Sequence, residues 1–289
     1  MFPTSRKEVE ALGWDYIDVI FFTGDAFVDH PSFGTAAISR WLQKWGYRVA
    51  VVPQPNWRDD LRDFRKLGAP RLYFAVNAGA MDSMVNHYTA ARRLRSDDAY
   101  TPDGKAGMRP DRAVTVYTRI LKKLYPDILV VIGGVEASLR RLTHYDYWED
   151  RLMPSVLVDS GADFLSYGMG EKAILELTRG IEARRSPREL HSIPQLAFRM
   201  SGGHWPKDSL VLAPYEECLK DKKAFANNFH LIETHANMLH PDTIVEPVGD
   251  GFVQVNPPYP PATTQEMDSY WDLPYTKLSL IHISEPTRL

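Results

Sequence analysis

Val19-Ile20-Phe21-Phe22-Thr23-Gly24-Asp25-Ala26-Phe27-Val28-Asp29-His30-Pro31-Ser32-Phe33-Gly34 is the stretch on which the fold turns. Val19 to Phe22 is an unbroken apolar run, the pattern of a strand buried on both faces. Gly24-Asp25 is a turn signal, and a polar loop holding Asp29, His30 and Ser32 follows. From Gly34 the period changes. Ala37, Ile38, Trp41, Leu42 and Trp45 recur at helical spacing, and Gly46 stands where a C-cap belongs. Arg48 to Val52 is a second apolar run with almost no alternation. Strand, helix and strand in so short a span make a βαβ unit, which implies parallel pairing and a right-handed crossover. In open sheets of this kind the loop at a strand's carboxyl end is where ligands bind.

The same grammar recurs along the chain. A short helix starts at Thr4 or Ser5 and ends at Gly13. A charged helix spans 58–67. A strand over 72–76 ends in Asn77-Ala78-Gly79 and leads into a helix over 81–88. A helix over 113–124 precedes a strand over 128–132 that ends in Gly133-Gly134, with Glu136 near the start of the next helix, where the dipole favours a carboxylate. A strand over 163–167 ends in Gly168-Met169-Gly170-Glu171 before a helix over 172–183, and 195–200 reads as a sixth strand. After Gly202-Gly203 the pattern shifts to polar helices over 214–238. A hairpin then turns at Gly249-Asp250-Gly251, and a proline-rich linker leads to a helix capped at Thr263. The expected fold is α/β, a Rossmann-like, mostly parallel open sheet flanked by helices, with a small C-terminal α+β segment. The expected division is 1–203, 204–277 and a tail, 278–289.

Composition narrows the class. The 289 residues are 44% hydrophobic and 25% charged, values of an ordinary globular protein. A net charge of -3 argues against general affinity for nucleic acid or anionic membrane. No apolar run is long enough to span a bilayer, and the first fifteen residues lack a signal-peptide core, so a cytoplasmic location is expected. Cys218 is the single cysteine. One thiol makes no intrachain disulfide and by itself holds neither structural zinc nor an iron–sulfur cluster.

Several constellations could carry chemistry. Glycines at Gly24, Gly79, Gly133-Gly134 and Gly168/Gly170 would share one edge of a parallel sheet and let a small anionic ligand approach the backbone. Asp29 beside His30 suits an oriented base or ligand, or a cap on the following helix. His144-Tyr145-Asp146-Tyr147-Trp148-Glu149-Asp150 suits a planar ligand or partner, or a helix start. Thr89 to Arg112 is a long charged loop, of a kind that is functional or disordered, and its balanced charges and Tyr100 favour an ordered loop with internal ion pairs. His230, His235 and His240 lie five apart, off any common helix face, which argues against a metal site. Neither a phosphate-binding P-loop nor a Gly-x-Gly-x-x-Gly follows the first strand.

Blocks of the chain resemble the N-terminal region of the YgiQ family of radical S-adenosylmethionine proteins. They are Thr23 to Gly34, Met81 to Asn86, Arg92 to Pro102, Arg109 to Ala113, Ile132 to Arg141 with His144 to Trp148, Val156 to Ser160 and Gln254 to Pro258. The resemblance implies a Rossmann-like region followed by a radical barrel. In the parent, three thiolates, usually Cys-x-x-x-Cys-x-x-Cys, would hold a 4Fe–4S cluster that binds S-adenosylmethionine and cleaves it to a 5′-deoxyadenosyl radical. This chain contains no such triplet. The resemblance therefore implies no catalytic residue or metal site here, with the missing barrel as partner in the same polypeptide. It leaves the substrate open. The glycine turns are also similar to cobalamin-binding domains, but Asp29 to Gly34 does not match Asp-x-His-x-x-Gly, so cobalamin is compatible and not implied. The alternative is a stand-alone module binding a small anionic or corrinoid ligand at the glycine edge.

The expected ligand-binding or domain-interface residues are Gly24, Asp25, Asp29, His30, Ser32, Gly34, Asn77, Asp82, Ser83, Arg92, Arg93, Asp97, Tyr100, Gly133, Gly134, Glu136, Ser138, Tyr145, Asp146, Gly168, Gly170 and Glu171. Leu278 to Arg288 resembles the translation of a transposase sequencing adapter, so a truncated coding sequence and an unpacked tail are expected.

Overall fold

The computed structural model describes residues 1–202 and 204–278. They group into two compact units, Met1–Glu136 with the segment from Ala262 onward, and Ala137–Pro261. The boundary expected at residue 203 falls inside the chain of the second unit. The adapter-like tail lies, from residue 279, outside the described residues.

The first unit runs α1 (Arg6–Ala11), β1 (Val19–Thr23), α2 (Gly34–Lys44), β2 (Val49–Pro53), α3 (Arg62–Arg65), β3 (Tyr73–Asn77), α4 (Ser83–His87), α5 (Ala113–Leu124), β4 (Leu129–Gly133) and the start of α6 (Gly134–Leu139). Its strands lie in the order β2-β1-β3-β4, and the pairs β1–β2, β1–β3 and β3–β4 are parallel. Every residue of β1 and β3 is buried, which is why both read as unbroken apolar runs. Phe22 anchors one face, stacking on Phe64 of α3 at 5.1 Å and meeting Phe74 of β3 edge-on at 5.8 Å. The helix starts follow their sequence signals. Ser5 and Glu8 form a capping box at α1, and Asp82 caps α4 through the amides of Met84 and Val85.

The register brings the turn after β1 against the turn after β3. A Cβ on Gly24 would lie 2.2 Å from the carbonyl oxygen of Ala78, so no side chain fits there while the strands pair. Gly24→Ala is expected to cost about 2 kcal/mol of stability, through overpacking against immovable backbone. The measurement is the urea midpoint, and an unchanged midpoint would refute this close approach.

The second unit contains β5 (His144–Asp146), β6 (Arg151–Met153), α7 (Val156–Ser160), β7 (Phe164–Ser166), α8 (Glu171–Glu182), α9 (Pro187–Leu190), β8 (Leu196–Ser201), β9 (Leu210–Val211), α10 (Tyr215–Cys218), α11 (Lys222–Ala236), β10 (Ile244–Val248) and β11 (Gly251–Val255). Apart from the β5–β6 pair, its strands lie in the order β7-β8-β11-β10-β9, with β7–β8, β8–β11 and β10–β11 antiparallel and β9–β10 parallel. The glycine turn at 249–250 closes β10 onto β11 as its sequence predicts. Pro247 is tolerated in β10 because β9 pairs only as far as Val245, leaving no ladder bond for the missing N–H to make. The 144–153 segment is neither a helix start nor a loop. It is a two-stranded hairpin, β5 against β6, whose turn is held by Asp146 accepting from the amides of Trp148 and Glu149. A last helix, α12 (Thr264–Trp271), returns to the first unit and packs Tyr270 edge-on against Trp41 at 4.8 Å.

Candidate functional site

The strand order β2-β1-β3-β4 reverses direction between β1 and β3, and in open α/β sheets a crevice forms outside the carboxyl ends at such a point. Thr23 and Asn77 are register partners there. The Thr23 hydroxyl donates to Asn77 Oδ1 at 2.8 Å, Asn77 Nδ2 donates to Thr35 Oγ1 at 2.9 Å, and the Gly79 amide donates to Asn77 Oδ1 at 2.9 Å. Beyond them the Ala80 amide donates to Asp25 Oδ2 at 2.6 Å. Arg109, 1% exposed, reaches in from the 89–112 loop. It donates to the Ala78 carbonyl at 2.8 Å and to Asp98 from Nε and Nη2 at 3.2 and 3.0 Å. Its Nη1 also lies 2.9 Å from Asp25 Oδ1, an ionic contact without hydrogen-bond geometry. The loop's balanced charges thus do form an internal pair, Asp98–Arg109, and that pair fastens the loop to the sheet edge. Tyr100 joins it by accepting the Ala26 amide at 3.0 Å. Burial pushes the Asp25 carboxyl above its ordinary range, and the nearby Arg109 cation only partly offsets this.

The glycines of this edge do not leave an open cradle. The space a Cβ would take on Gly79 is filled by the Asp25 carboxyl group, 2.1 Å from it, and Asn77 Cβ stands 3.3 Å from that of Gly134. In the second unit, Gln195 Nε2 stands 3.4 Å from the corresponding point on Gly168. An anionic or corrinoid ligand brought to the backbone at Gly79 would meet a carboxylate already in place. Gly133 ends β4, Gly170 caps α8, and Gly34 opens α2 with free space around it.

Asp29 and His30, neighbours in sequence, face different partners. The Asp29 carboxylate accepts from Arg40 Nε at 3.1 Å, from Arg40 Nη2, and from the Thr276 amide and hydroxyl at 3.0 and 2.9 Å. Burial alone would raise its pKa, but these bonds outweigh burial and hold it below the usual carboxylate range. His30 Nδ1 instead receives the Ser32 amide at 3.1 Å, and its ring sits edge-on to Phe33. The pair expected to orient a base is therefore a helix anchor and a local turn. Ser32, Arg92 and Arg93 are exposed. Tyr145 donates to Asp150, Ser138 Oγ accepts the Gly168 amide at 3.3 Å, and burial raises the half-buried Glu171 carboxyl.

Glu136 serves helices other than its own. Its Oε2 accepts the Ser83 amide at 2.8 Å and its Oε1 the Val114 amide at 2.9 Å, while Ser83 Oγ accepts the Ala113 amide at 3.2 Å. One buried carboxylate thus caps the starts of α4 and α5 together.

Below α4 lies a cavity of about 470 Å³ whose walls include Trp57, Leu94, Asp97, Pro110 and Val116. His87 at the end of α4 lines it, with Nδ1 2.6 Å from Asp111 Oδ1. Tyr88 donates its hydroxyl to the other oxygen, Asp111 Oδ2, at 2.9 Å, and that bond raises the phenol's pKa. A carboxylate on Nδ1 orients an imidazole and leaves Nε2 for a ligand or a proton. Of the residues expected from sequence, Asp97 lines this cavity. His87 and Asp111 were not among them. They stand 24 residues apart across an irregular loop, and no local spacing signals the pair.

Among the described residues no group of three or more His, Cys, Asp or Glu side chains is placed to hold a metal ion, and no helix is long and apolar enough to cross a membrane. Cys218 is buried, and Asn228 Nδ2 lies 3.3 Å from its sulfur.

Residues 1–285 match the family model described as Radical SAM N-terminal. A UPF0313 protein of Porphyromonas gingivalis is 58% identical over 96% of this chain and 44% of its own length. A second, of Bacteroides thetaiotaomicron, is 55% identical over 96% and 47%, and a third, of Thermotoga maritima, is 42% identical over 95% and 48%. The chain thus spans less than half the length of these curated relatives. The solved structure of the radical S-adenosylmethionine methyltransferase TsrM from Kitasatospora setae aligns with a TM-score of 0.41 at 19% identity, over 62% of this chain and 28% of that one. The parallel sheet, the blocks around Gly24–Gly34 and Arg92–Ala113, and the family match over nearly the whole length agree: the chain belongs to the Radical SAM N-terminal family, as the N-terminal region of a UPF0313 (YgiQ-family) protein.

Proposed function

We propose that this chain is the non-catalytic, substrate-side part of a radical S-adenosylmethionine enzyme, whose cluster is built from residues downstream in the same polypeptide. The observation that carries this reading is the family match over 1–285 in a chain with one cysteine. The residues present do not fit a 4Fe–4S cluster. Three thiolates are needed, and Cys218 is a lone, buried thiol whose pKa is pushed up by burial, the opposite of what a ligand requires. No chemical step is therefore assigned to side chains of this region. Its contribution is a sheet edge made rigid by Arg109 and a cavity at the end of α4.

The complete coding sequence of the gene tests the reading. A Cys-x-x-x-Cys-x-x-Cys motif shortly downstream is the expected result. A complete gene without a cysteine triplet would overturn it.

A further inference from the structure

We propose that the cavity below α4 binds a small organic anion, a carboxylate or phosphate group carried on an apolar body. This inference does not rest on the radical reading above. The cavity combines apolar side chains such as Trp57, Leu94, Pro110 and Val116 with polar ones, and the polar groups not already paired are mismatched in favour of donors. Asn86 and His87 line it and are each 7% exposed, yet Asn86 Nδ2 and His87 Nε2 have no hydrogen-bond partner among the described residues. With Nδ1 committed to Asp111, Nε2 is the ring atom of His87 left for a ligand. Of the three arginines that line the cavity, Arg109 is held by Asp98, while Arg58 and Arg95 have no carboxylate partner among the described residues. Arg58 stacks over Trp57 at 4.4 Å, and Arg95 is tied beside His87 through its own amide, which donates to the His87 carbonyl at 2.8 Å.

The acceptors nearby are already used. Asp98 is held by Arg109, and Asp111 by His87 and Tyr88. That leaves Asp97 as the carboxylate without a cationic side-chain partner. Surplus donors in an apolar cavity select an acceptor-rich ligand, and a planar head such as carboxylate suits a guanidinium fork. Trp57 and Pro110 would cover the ligand's apolar body.

The test is titration calorimetry of the protein with benzoate, phenyl phosphate and the neutral isostere benzamide. At least one anion is expected to bind about tenfold more tightly than benzamide. Arg95→Met, an exposed position, should weaken that anion about fivefold or more with an unchanged circular dichroism spectrum, and Asn86→Leu should weaken it similarly. Which anion binds more tightly distinguishes carboxylate from phosphate recognition. Equal affinity for benzamide, undiminished binding in Arg95→Met, or no heat from either anion up to about 10 mM would overturn the proposal.

Discussion

Arg109→Met is expected to lower the unfolding free energy by about 3–5 kcal/mol, because it leaves buried charge without a counter-ion. Methionine keeps most of the aliphatic stem, so the loss is that of the guanidinium group. Asp98, 2% exposed, would lose its bidentate partner, Asp25 would lose the cation that stands 2.9 Å from it, and the Ala78 carbonyl would lose a donor. The 89–112 loop would also lose its fastening to the β1 and β3 turns. The pH dependence has a definite sign. Without Arg109 the Asp25 carboxyl, already raised by burial, would take up a proton still more readily in the folded than in the unfolded state, so the deficit should be smaller at pH 5 than at pH 8. Urea unfolding at the two pH values measures both the size and the sign. A loss under about 1 kcal/mol would mean that the pair behaves as a surface ion pair does.

Glu246 sets a second pH dependence in the other unit. It lies in β10 at 1% exposure, and its two oxygens share the Thr143 amide at 3.1 and 2.9 Å. Burial pushes its pKa from 4.5 up to about 7, more than the Thr143 hydrogen bonds hold it down. Because the folded-state value lies above the unfolded one, the folded state binds more protons between pH 4.5 and pH 7. Stability from this group is therefore fully present below about pH 4.5 and is lost as pH rises through about 7. The shift corresponds to about 3 kcal/mol. Glu246→Gln should remove that slope and be more stable than the parent protein at pH 8. Unfolding free energies of both proteins from pH 5 to pH 8 decide it, and parallel slopes would contradict the burial argument. Asp29, held low by Arg40 and Thr276, contributes the reverse and is lost only as pH falls.

The scaffold was legible because its signals are local. Val19 to Phe22 and Tyr73 to Val76 are buried on both faces, so their composition alone announces parallel strands. Ser5, Asp82 and Gly249 act where their residue types predict. The site was less legible because its partners are remote in sequence. Asp25 meets Arg109, Glu136 meets Ser83 and Val114, and His87 meets Asp111, each across an irregular or long connection. Adjacency misled as well. Asp29 and His30 sit side by side, but one side chain reaches Arg40 of α2 and the other stays in its own turn. Glycines at strand ends carried two meanings that sequence does not separate. Gly34 has room around it, whereas Gly24 and Gly79 are glycines because Ala78 and Asp25 already occupy the space. The opening stretch therefore positions a helix, a loop and the segment around Thr276 at one sheet edge.

Anaerobic reconstitution of the full-length protein with iron and sulfide, followed by electron paramagnetic resonance of the reduced sample, tests most directly whether the cluster belongs outside this region. The predicted result is a 4Fe–4S signal that is unchanged in the Cys218→Ala variant. Loss of the signal in that variant, or assembly of a cluster on residues 1–277 alone, would contradict it.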